Sequence, residues 1–175
     1  MTTTAKKFIE AHLSTATLVD HPIIQNMARF YVYDMSRYCG FLPGWECPDD
    51  GLFECVDLKS YFTEPNHAYL IKVGDELAGF ALINQLGSTK DVDWNMGEFF
   101  VLAKFQGHGI GQQIAQDLFA RHVGIWEVSA IPENLHAIRF WRRVLGTHRP
   151  NNYVEENKVL SHPEPHPMLM WRFSS

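Results

Sequence analysis

The residues from Gln106 to Gly111 are the part of the sequence best suited to bind a phosphate group. Three of these six residues are glycines, and they stand between a predicted strand and a predicted helix. Glycine has no Cβ, so a ligand can approach the backbone N–H groups closely. The first turn of a helix carries unpaired N–H groups and a partial positive charge, which together attract a phosphate or pyrophosphate. Glycines alone leave a second interpretation open, a tight turn that binds nothing.

Two other phosphate-binding patterns do not fit this loop. A Walker loop requires a Lys-Ser or Lys-Thr pair after its last glycine, and no such pair follows here. A dinucleotide-binding loop has the pattern G-x-G-x-x-G. Gly107 and Gly109 would begin that pattern, but Gln112 occupies the place of its third glycine and Gly111 comes one residue early. The sequence therefore favours neither of these nucleotide sites.

The elements that must position the loop follow from the periodicity of apolar residues. Helical spacing recurs in three segments, and short apolar runs bounded by turn residues predict strands. The run Phe99-Phe100-Val101-Leu102 is apolar on both faces, which is typical of a central strand covered by helices on both sides. The predicted helices span residues 22–37, 110 to about 124, and 134–145 with Gly146 as the stop, and the predicted strands span residues 67–73, 77–84, 96–103, 125–131, 153–160 and 168–173.

This order of elements predicts a mixed α/β fold. We expect a central mixed sheet of about six or seven strands with helices on both faces. The length of 175 residues, with 46% hydrophobic and 20% charged residues, suits a single globular domain over residues 1–175.

Charge and hydropathy argue against nucleic-acid and membrane roles. The formal net charge is −5 and no run of Lys or Arg occurs, so no nucleic-acid partner is expected. No stretch approaches 18 apolar residues, so no membrane span is expected. Residues 1–9 contain lysines but no apolar segment after them, unlike a signal peptide. We therefore expect a cytoplasmic protein.

The three cysteines do not predict a metal site. Cys39, Cys47 and Cys55 are spaced eight residues apart, whereas cysteine ligand pairs are normally two to four residues apart. Reduced thiols in a cytoplasmic protein are the expected state.

The glycine loop also carries a resemblance to a known family. Residues 101–111, V-L-A-K-F-Q-G-H-G-I-G, resemble the acetyl-CoA-binding motif of the GNAT N-acetyltransferases, Gln/Arg-x-x-Gly-x-Gly/Ala, at the end of the fourth strand. Gln106, Gly109 and Gly111 match it directly.

A second segment supports the resemblance. Residues 134–146 resemble the family helix N-x-x-A-x-x-F-Y-x-x-x-G through Asn134, Ala137, Phe140 and Gly146. The clear similarity extends from about residue 70 to residue 146, nearly half of the chain. Residues 31–36, Y-V-Y-D-M-S, also resemble a subgroup of these acetyltransferases, which adds no substrate.

The resemblance implies a cofactor site made mostly of backbone groups. The backbone near residues 99–101 would pair with the pantetheine amides as if the cofactor were an extra strand. The N–H groups of the glycine loop would hold the pyrophosphate, and Asn134 would contact the pantetheine arm. The residues that the resemblance assigns to acetyl-CoA are Phe99, Phe100, Val101, Gln106, Gly107, His108, Gly109, Ile110, Gly111 and Asn134.

The resemblance also implies catalytic roles. Many family members place a general base at the position of Glu98, because the substrate amine must lose a proton before it attacks the thioester. The family usually places a tyrosine at the position of Trp141 to protonate the departing thiolate. Since an indole N–H donates no useful proton, Tyr153 is the nearest alternative acid in the sequence. A strand glutamate at a sheet edge or in an ion pair remains the alternative interpretation of Glu98.

The acceptor side would be the first helix and the loop after it. Tyr31 and Asp34 are the candidate acceptor-binding residues, with Asp34 available for a cationic amine, although plain core aromatics remain an alternative. The expected reaction moves an acetyl group from acetyl-CoA to a primary amine of a small molecule or peptide, by direct attack in a ternary complex and without a metal. A module that binds acetyl-CoA or CoA without turnover is the second hypothesis. The sequence leaves association into a homodimer open.

Overall fold

A computed structural model describes residues 9–160 and 165–175 of the chain. The described residues form seven strands and three α-helices, with three short 3₁₀ turns at Leu18–Asp20, Lys59–Phe62 and Ala103–Phe105. In chain order the elements are β1 (His12–Thr15), α1 (His21–Cys39), β2 (His67–Val73), β3 (Glu76–Asn84), β4 (Trp94–Val101), α2 (Ile110–Arg121), β5 (Ile125–Ala130), α3 (Leu135–His148), β6 (Tyr153–Leu160) and β7 (His166–Ser174).

The strands form one mixed sheet in the order β1-β2-β3-β4-β5-β7-β6. Every neighbouring pair is antiparallel except β4 and β5, which are parallel. A parallel pair needs a crossover connection, and α2 supplies it. The prediction of a mixed α/β sheet of six or seven strands is therefore confirmed.

Helices cover both faces of the sheet. The helices α2 and α3 pack on one face through a large apolar cluster, and α1 packs on the other face through a smaller one. The strand β4 contributes to both clusters, because Phe99 and Val101 point towards α2 and α3 while Phe100 points towards α1. This confirms β4 as a central strand between two layers of helices.

The structure corrects the sequence predictions at several boundaries. The short strand β1 was not predicted, and α1 runs two residues beyond the predicted end. Gly146 does not end α3, which continues to His148. The ring of His148 packs on Phe119 and Phe173, and this contact holds the last turn in the helix although Gly146 itself favours a stop.

Candidate functional site

A β-bulge at Gly97 turns the Glu98 side chain towards α1. Leu82 on β3 is opposite Glu98, whereas the next residue, Ile83, is opposite Met96, so β4 has one extra residue at Gly97. An extra residue reverses which side chains point to each face beyond it. Met96 therefore packs among the residues of the α2–α3 cluster, while Glu98 lies on the α1 side.

Beyond the bulge, β4 and β5 separate. They pair only at Trp94 with Trp126 and at Asn95 with Glu127, whereas β4 stays paired with β3 as far as Val101. Within the described residues, the edge of β4 that faces β5 therefore has no strand partner from Met96 onward. Backbone N–H and C=O groups at such a gap need a partner, and a ligand that adds to the strand edge can supply it.

The glycine loop lies where β4 ends and α2 begins. Gly107 and Gly109 have positive φ values of 75° and 86°, and Gly109 is the residue that caps α2. In the described part of the chain, no acceptor faces the backbone N–H groups of residues 107–112. The first hydrogen bond of the helix is donated by the Gln113 N–H to the Gly109 carbonyl, at 3.1 Å. Free donors at the positive end of a helix suit a pyrophosphate group.

The remaining loop residues fix its shape. The Gln106 amide donates a 2.7 Å hydrogen bond to the carbonyl of Val101 and so ties the loop to the end of β4. A Cβ on Gly111 would lie 3.1 Å from the ring of Phe140, so the absence of a side chain lets α2 approach α3 closely. The Nδ1 atom of His108 is buried and has no partner among the described residues. Ile110 is buried in the core, so its contribution to the loop is its backbone N–H.

Asn134 and Trp141 both have structural roles in α3. The Asn134 side chain accepts a 2.9 Å hydrogen bond from the Ala137 N–H and caps the helix, while its amide nitrogen lies 3.7 Å from the Met35 sulfur. Trp141 is 5% exposed, and its ring lies 5.6 Å from the ring of Phe99. Trp141 has no hydroxyl group, so its contribution at this position is packing.

Glu98 lies among phenol and thiol groups rather than among cations. Burial raises the pKa of Glu98 from its usual 4.5 to about 7, and a hydrogen bond with Tyr31 opposes part of that rise. Burial and the nearby Glu98 also raise the pKa of Tyr61 to about 12 and that of Cys55 to about 11, and they raise the pKa of Tyr31. Glu98 is therefore a carboxylate poised near neutral pH, beside phenols that stay protonated.

Tyr61 and Cys55 were not predicted from the sequence. They lie between α1 and β2, in a segment that was not assigned to any element, and no motif marks them. Gly97 did carry a signal, because a single glycine inside a strand pattern often marks a bulge.

Tyr153, the proton donor expected from the sequence, lies apart from Glu98. It begins β6, where it pairs with Phe173, and Phe173 in turn pairs with Trp126 near the start of β5. That is the end of β5 at which β4 and β5 remain paired. Tyr153 instead lines a shallow cleft of about 380 Å³ at that end of β5. The structure therefore does not bring Tyr153 to the groups around Glu98, because pairing with β7 places it on a strand well removed from β4.

The two acceptor-side candidates lie on α1, near the end of β4. Asp34 lines a cleft of about 240 Å³ together with Phe30, Tyr33 and Phe100, where β4 ends. Tyr31 is different, because its ring packs edge-on against Phe80 and only its hydroxyl reaches Glu98. Asp34 is thus part of an open cleft, whereas Tyr31 belongs to the core beside the Glu98 carboxylate.

Residues 9–160 and 165–175 contain no group of three or more His, Cys, Asp or Glu side chains arranged to hold a metal ion. Among the same residues, no helix has the length and apolar character needed to cross a bilayer.

Comparison with known sequences identifies the family. The sequence profile of the acetyltransferase (GNAT) family matches residues 29–147, which is more than half of the chain. The chain therefore belongs to the GNAT acetyltransferase family, and this membership implies acyltransferase activity. No protein with curated annotation matches the sequence significantly.

Solved structures share the fold over nearly the whole chain. An acetyltransferase from Thermus thermophilus is 17% identical with a TM-score of 0.63, and the match covers 96% of this chain and 99% of that one. The yncA protein of Salmonella typhimurium, solved with its cofactor acetyl-CoA, is 11% identical with a TM-score of 0.59 and coverages of 94% and 93%. The aminoglycoside acetyltransferase AAC(6')-Ib, solved with coenzyme A and kanamycin, is 14% identical with a TM-score of 0.62 and coverages of 94% and 95%. At these identities the likeness concerns the fold.

Proposed function

We propose that the chain is a single-domain cytoplasmic N-acetyltransferase that moves an acetyl group from acetyl-CoA to a primary amine in a ternary complex. The observation that carries the proposal is the position of Glu98. This carboxylate, whose pKa is raised to about 7, lies on β4 beyond the bulge, on the strand that separates from β5 and leads into the glycine loop.

The open edge of β4 and the glycine loop are the proposed acetyl-CoA site. The unpaired backbone of residues 99–101 would bind the pantetheine amides, and the free N–H groups of residues 107–112 would bind the pyrophosphate. Asn134 would contact the pantetheine arm through its amide nitrogen, since its oxygen already caps α3. The acetyl thioester would then lie close to the bulge.

Glu98 is the proposed general base. An alkyl ammonium ion near pH 7 must lose a proton before its nitrogen can attack the thioester carbonyl. A carboxylate with a pKa near the working pH is ionised in enough molecules to accept that proton and basic enough to hold it. An ordinary glutamate with a pKa of about 4.5 would be a much weaker base.

No side chain needs to protonate the departing thiolate. An ordinary thiol has a pKa of about 8.5, so the thiolate is a tolerable leaving group near neutral pH. The phenols beside Glu98 have pKa values above 10, which makes them poor proton donors towards such a thiolate. We therefore propose that the thiolate leaves unprotonated or takes its proton from water.

The acceptor is proposed to be a cationic amine, with Asp34 on its side of the cleft. Tyr31 would affect the acceptor only through Glu98, because its ring packs in the core and its hydroxyl is hydrogen-bonded to that carboxylate. Residues 40–58, which follow α1, contain five acidic and no basic residues, so this segment alone accounts for the net charge of −5. It is tied to α1 by hydrogen bonds from the Gln25 amide to the carbonyls of Cys55 and Val56. A positively charged amine would be attracted to this side of the molecule.

An acceptor screen tests the proposal. Purified protein and acetyl-CoA are incubated with diamines, polyamines, amino acids, aminoglycosides and lysine-containing peptides, and both free thiol and the acetylated product are measured. We expect at least one primary amine to release thiol and gain an acetyl group. Gly109→Glu disrupts the proposed cofactor site. Any thiol that this variant releases therefore measures the background reaction that does not depend on the site.

A module that binds acetyl-CoA without turnover is the second candidate function. Its support is the indole of Trp141 at the position where the family usually has a tyrosine. The screen separates the two candidates, since saturable binding of acetyl-CoA with no thiol release from any amine would favour the module.

A further inference from the structure

A chain of hydrogen bonds runs under the bulge and ends at Tyr61. The backbone N–H of Leu86 donates to the Asn84 Oδ1 atom at 2.9 Å, and the Asn95 amide donates to the same oxygen at 3.1 Å. The Asn84 amide nitrogen then donates to the Tyr61 hydroxyl oxygen at 3.2 Å. Asn84 is 6% exposed, so the residue at the centre of these hydrogen bonds is itself buried.

The Leu86 N–H sets the direction of this chain. A backbone N–H can only donate, so the atom of Asn84 that faces it must be the oxygen. The Asn84 NH₂ group therefore faces Tyr61, and the Tyr61 oxygen acts as the acceptor. The hydroxyl proton of Tyr61 must then point to a different acceptor, and no protein acceptor for it is present among the described residues.

Gly97 leaves space for the Tyr61 hydroxyl beside the bulge. A Cβ on Gly97 would overlap the hydroxyl, so the missing side chain makes room for it. The residue after Gly97 is Glu98, and burial together with the charge of Glu98 raises the pKa of Tyr61. The free hydroxyl proton and the buried carboxylate are thus neighbours.

The groups around Glu98 leave its negative charge poorly stabilised. Tyr31 from α1, Cys55 from the segment after α1 and Tyr61 from the turn before β2 all face it. Among the described residues no Lys, Arg or His side chain lowers the pKa of Glu98, and Tyr31 supplies the hydrogen bond that does. An ionised Glu98 therefore has room for a second donor.

We propose that Tyr61 is a positioning residue for Glu98: its hydroxyl, fixed by Asn84, donates a hydrogen bond to the Glu98 carboxylate when that group ionises. This inference rests on the proposed function, in which ionised Glu98 is the base. Tyr61 keeps its proton throughout, and the substrate proton moves only to Glu98. Tyr31 and Tyr61 together hold the carboxylate from two sides, and the second donor favours the ionised form.

The test measures the pKa of Glu98 directly, without a substrate. Protein labelled with ¹³C at the glutamate carboxyl carbon is titrated by NMR from pH 5 to 10, and Glu98→Gln assigns the resonance. In Tyr61→Phe, loss of the donor should raise the pKa of Glu98 by roughly one unit. Tyr69→Phe is the matched control, because Tyr69 donates or accepts a 2.7 Å hydrogen bond with His122 in the other cluster of the core.

Asn84→Asp tests the direction of the chain. The new carboxylate would accept from both Leu86 and Tyr61, so it would draw the Tyr61 proton away from Glu98. We expect Asn84→Asp to raise the pKa of Glu98 as well, and to raise it less in a Tyr61→Phe background than in the wild type. Equal effects in the two backgrounds would overturn the role of Tyr61, since they would show that charge alone acts.

An unchanged pKa of Glu98 in folded Tyr61→Phe overturns the inference. Once an acceptor is known, kinetics give a second readout. Tyr61→Phe should lower kcat at neutral pH by up to about tenfold, leave the KM for acetyl-CoA unchanged and recover at higher pH. If the proposed function fails instead, Glu98→Gln would turn over normally, while Tyr61→Phe would still change the pKa of Glu98 measured by NMR.

Discussion

The proposed cofactor side and the proposed acid–base side of the site are built in different ways. The open edge of β4 and the glycine loop come from one continuous stretch, residues 96–112, and act mainly through backbone groups. The acid–base side combines Tyr31, Cys55, Tyr61 and Glu98 from four separate segments. The first side depends on local conformation, whereas the second exists only after α1 and the segment following it have packed on the sheet. Substitutions on the two sides should therefore affect different quantities.

The largest expected effect is on the acid–base side. Glu98→Gln should lower turnover by about 10²–10⁴-fold and leave acetyl-CoA affinity unchanged, because an amide cannot accept the amine proton. Wild-type kcat/KM should rise with pH through about 7 as Glu98 ionises. Steady-state rates from pH 5.5 to 9.5 check both points. Glu76→Gln, at an exposed ion pair with Lys104, is the control.

If the Glu98→Gln enzyme retained full activity at neutral pH, Glu98 would not be the base. The deficit should shrink at high pH, because more of the amine is then deprotonated before it binds.

On the cofactor side, Gly109→Glu should weaken acetyl-CoA binding by at least about 100-fold. Any side chain is strained at φ +86°, and a carboxylate there repels the pyrophosphate. Gly74→Glu is a matched control, since Gly74 also has a positive φ and open space around its Cβ position but lies in the β2–β3 turn. Calorimetric titration of both folded variants measures the affinity. Equal weakening in the two would show that backbone strain, rather than lost phosphate contacts, is responsible.

Glu98 should also affect stability in a pH-dependent way. Its folded pKa lies above the ordinary value, so the stability that its neutral form contributes is present at low pH and is lost as pH rises from about 4.5 to 7. Glu98→Gln removes that loss. The difference in free energy of unfolding between the variant and wild type should therefore be more favourable to the variant at pH 8 than at pH 4.5, by roughly 1–3 kcal/mol. Urea unfolding at the two pH values measures the difference, and equal gains would contradict a buried, shifted carboxyl.

The smallest functional effect is expected at Trp141. Trp141→Tyr restores the hydroxyl common in the family, but the ring is buried against Phe99 and Phe140, so the phenol has little room to aim at a sulfur atom. Turnover should stay the same or fall, and stability should fall by about 1–2 kcal/mol. Trp141→Phe controls for the change in volume. Faster turnover in the tyrosine variant alone would show that the missing acid limits the rate.

The same contrast explains what could be predicted from the sequence. The glycine loop and the strand and helix around it carry their information in neighbouring residues, and the mixed sheet with α2 and α3 was predicted correctly. Strand β1 was missed because four residues give too short a period to detect. Tyr61 was missed because no local pattern links it to Glu98, which is far along the chain. Tyr153 was selected by closeness in sequence to α3, yet strand pairing determines its position.

Acetyl-CoA is proposed to bind along β4 and at the start of α2. Thermal unfolding with and without millimolar acetyl-CoA tests it most directly, using wild type, Gly109→Glu and Gly74→Glu. We expect a rise in Tm that corresponds to roughly 2–4 kcal/mol for wild type and Gly74→Glu, and no rise for Gly109→Glu. Folded wild-type protein whose Tm does not change with millimolar acetyl-CoA would show that the cofactor does not bind at this site.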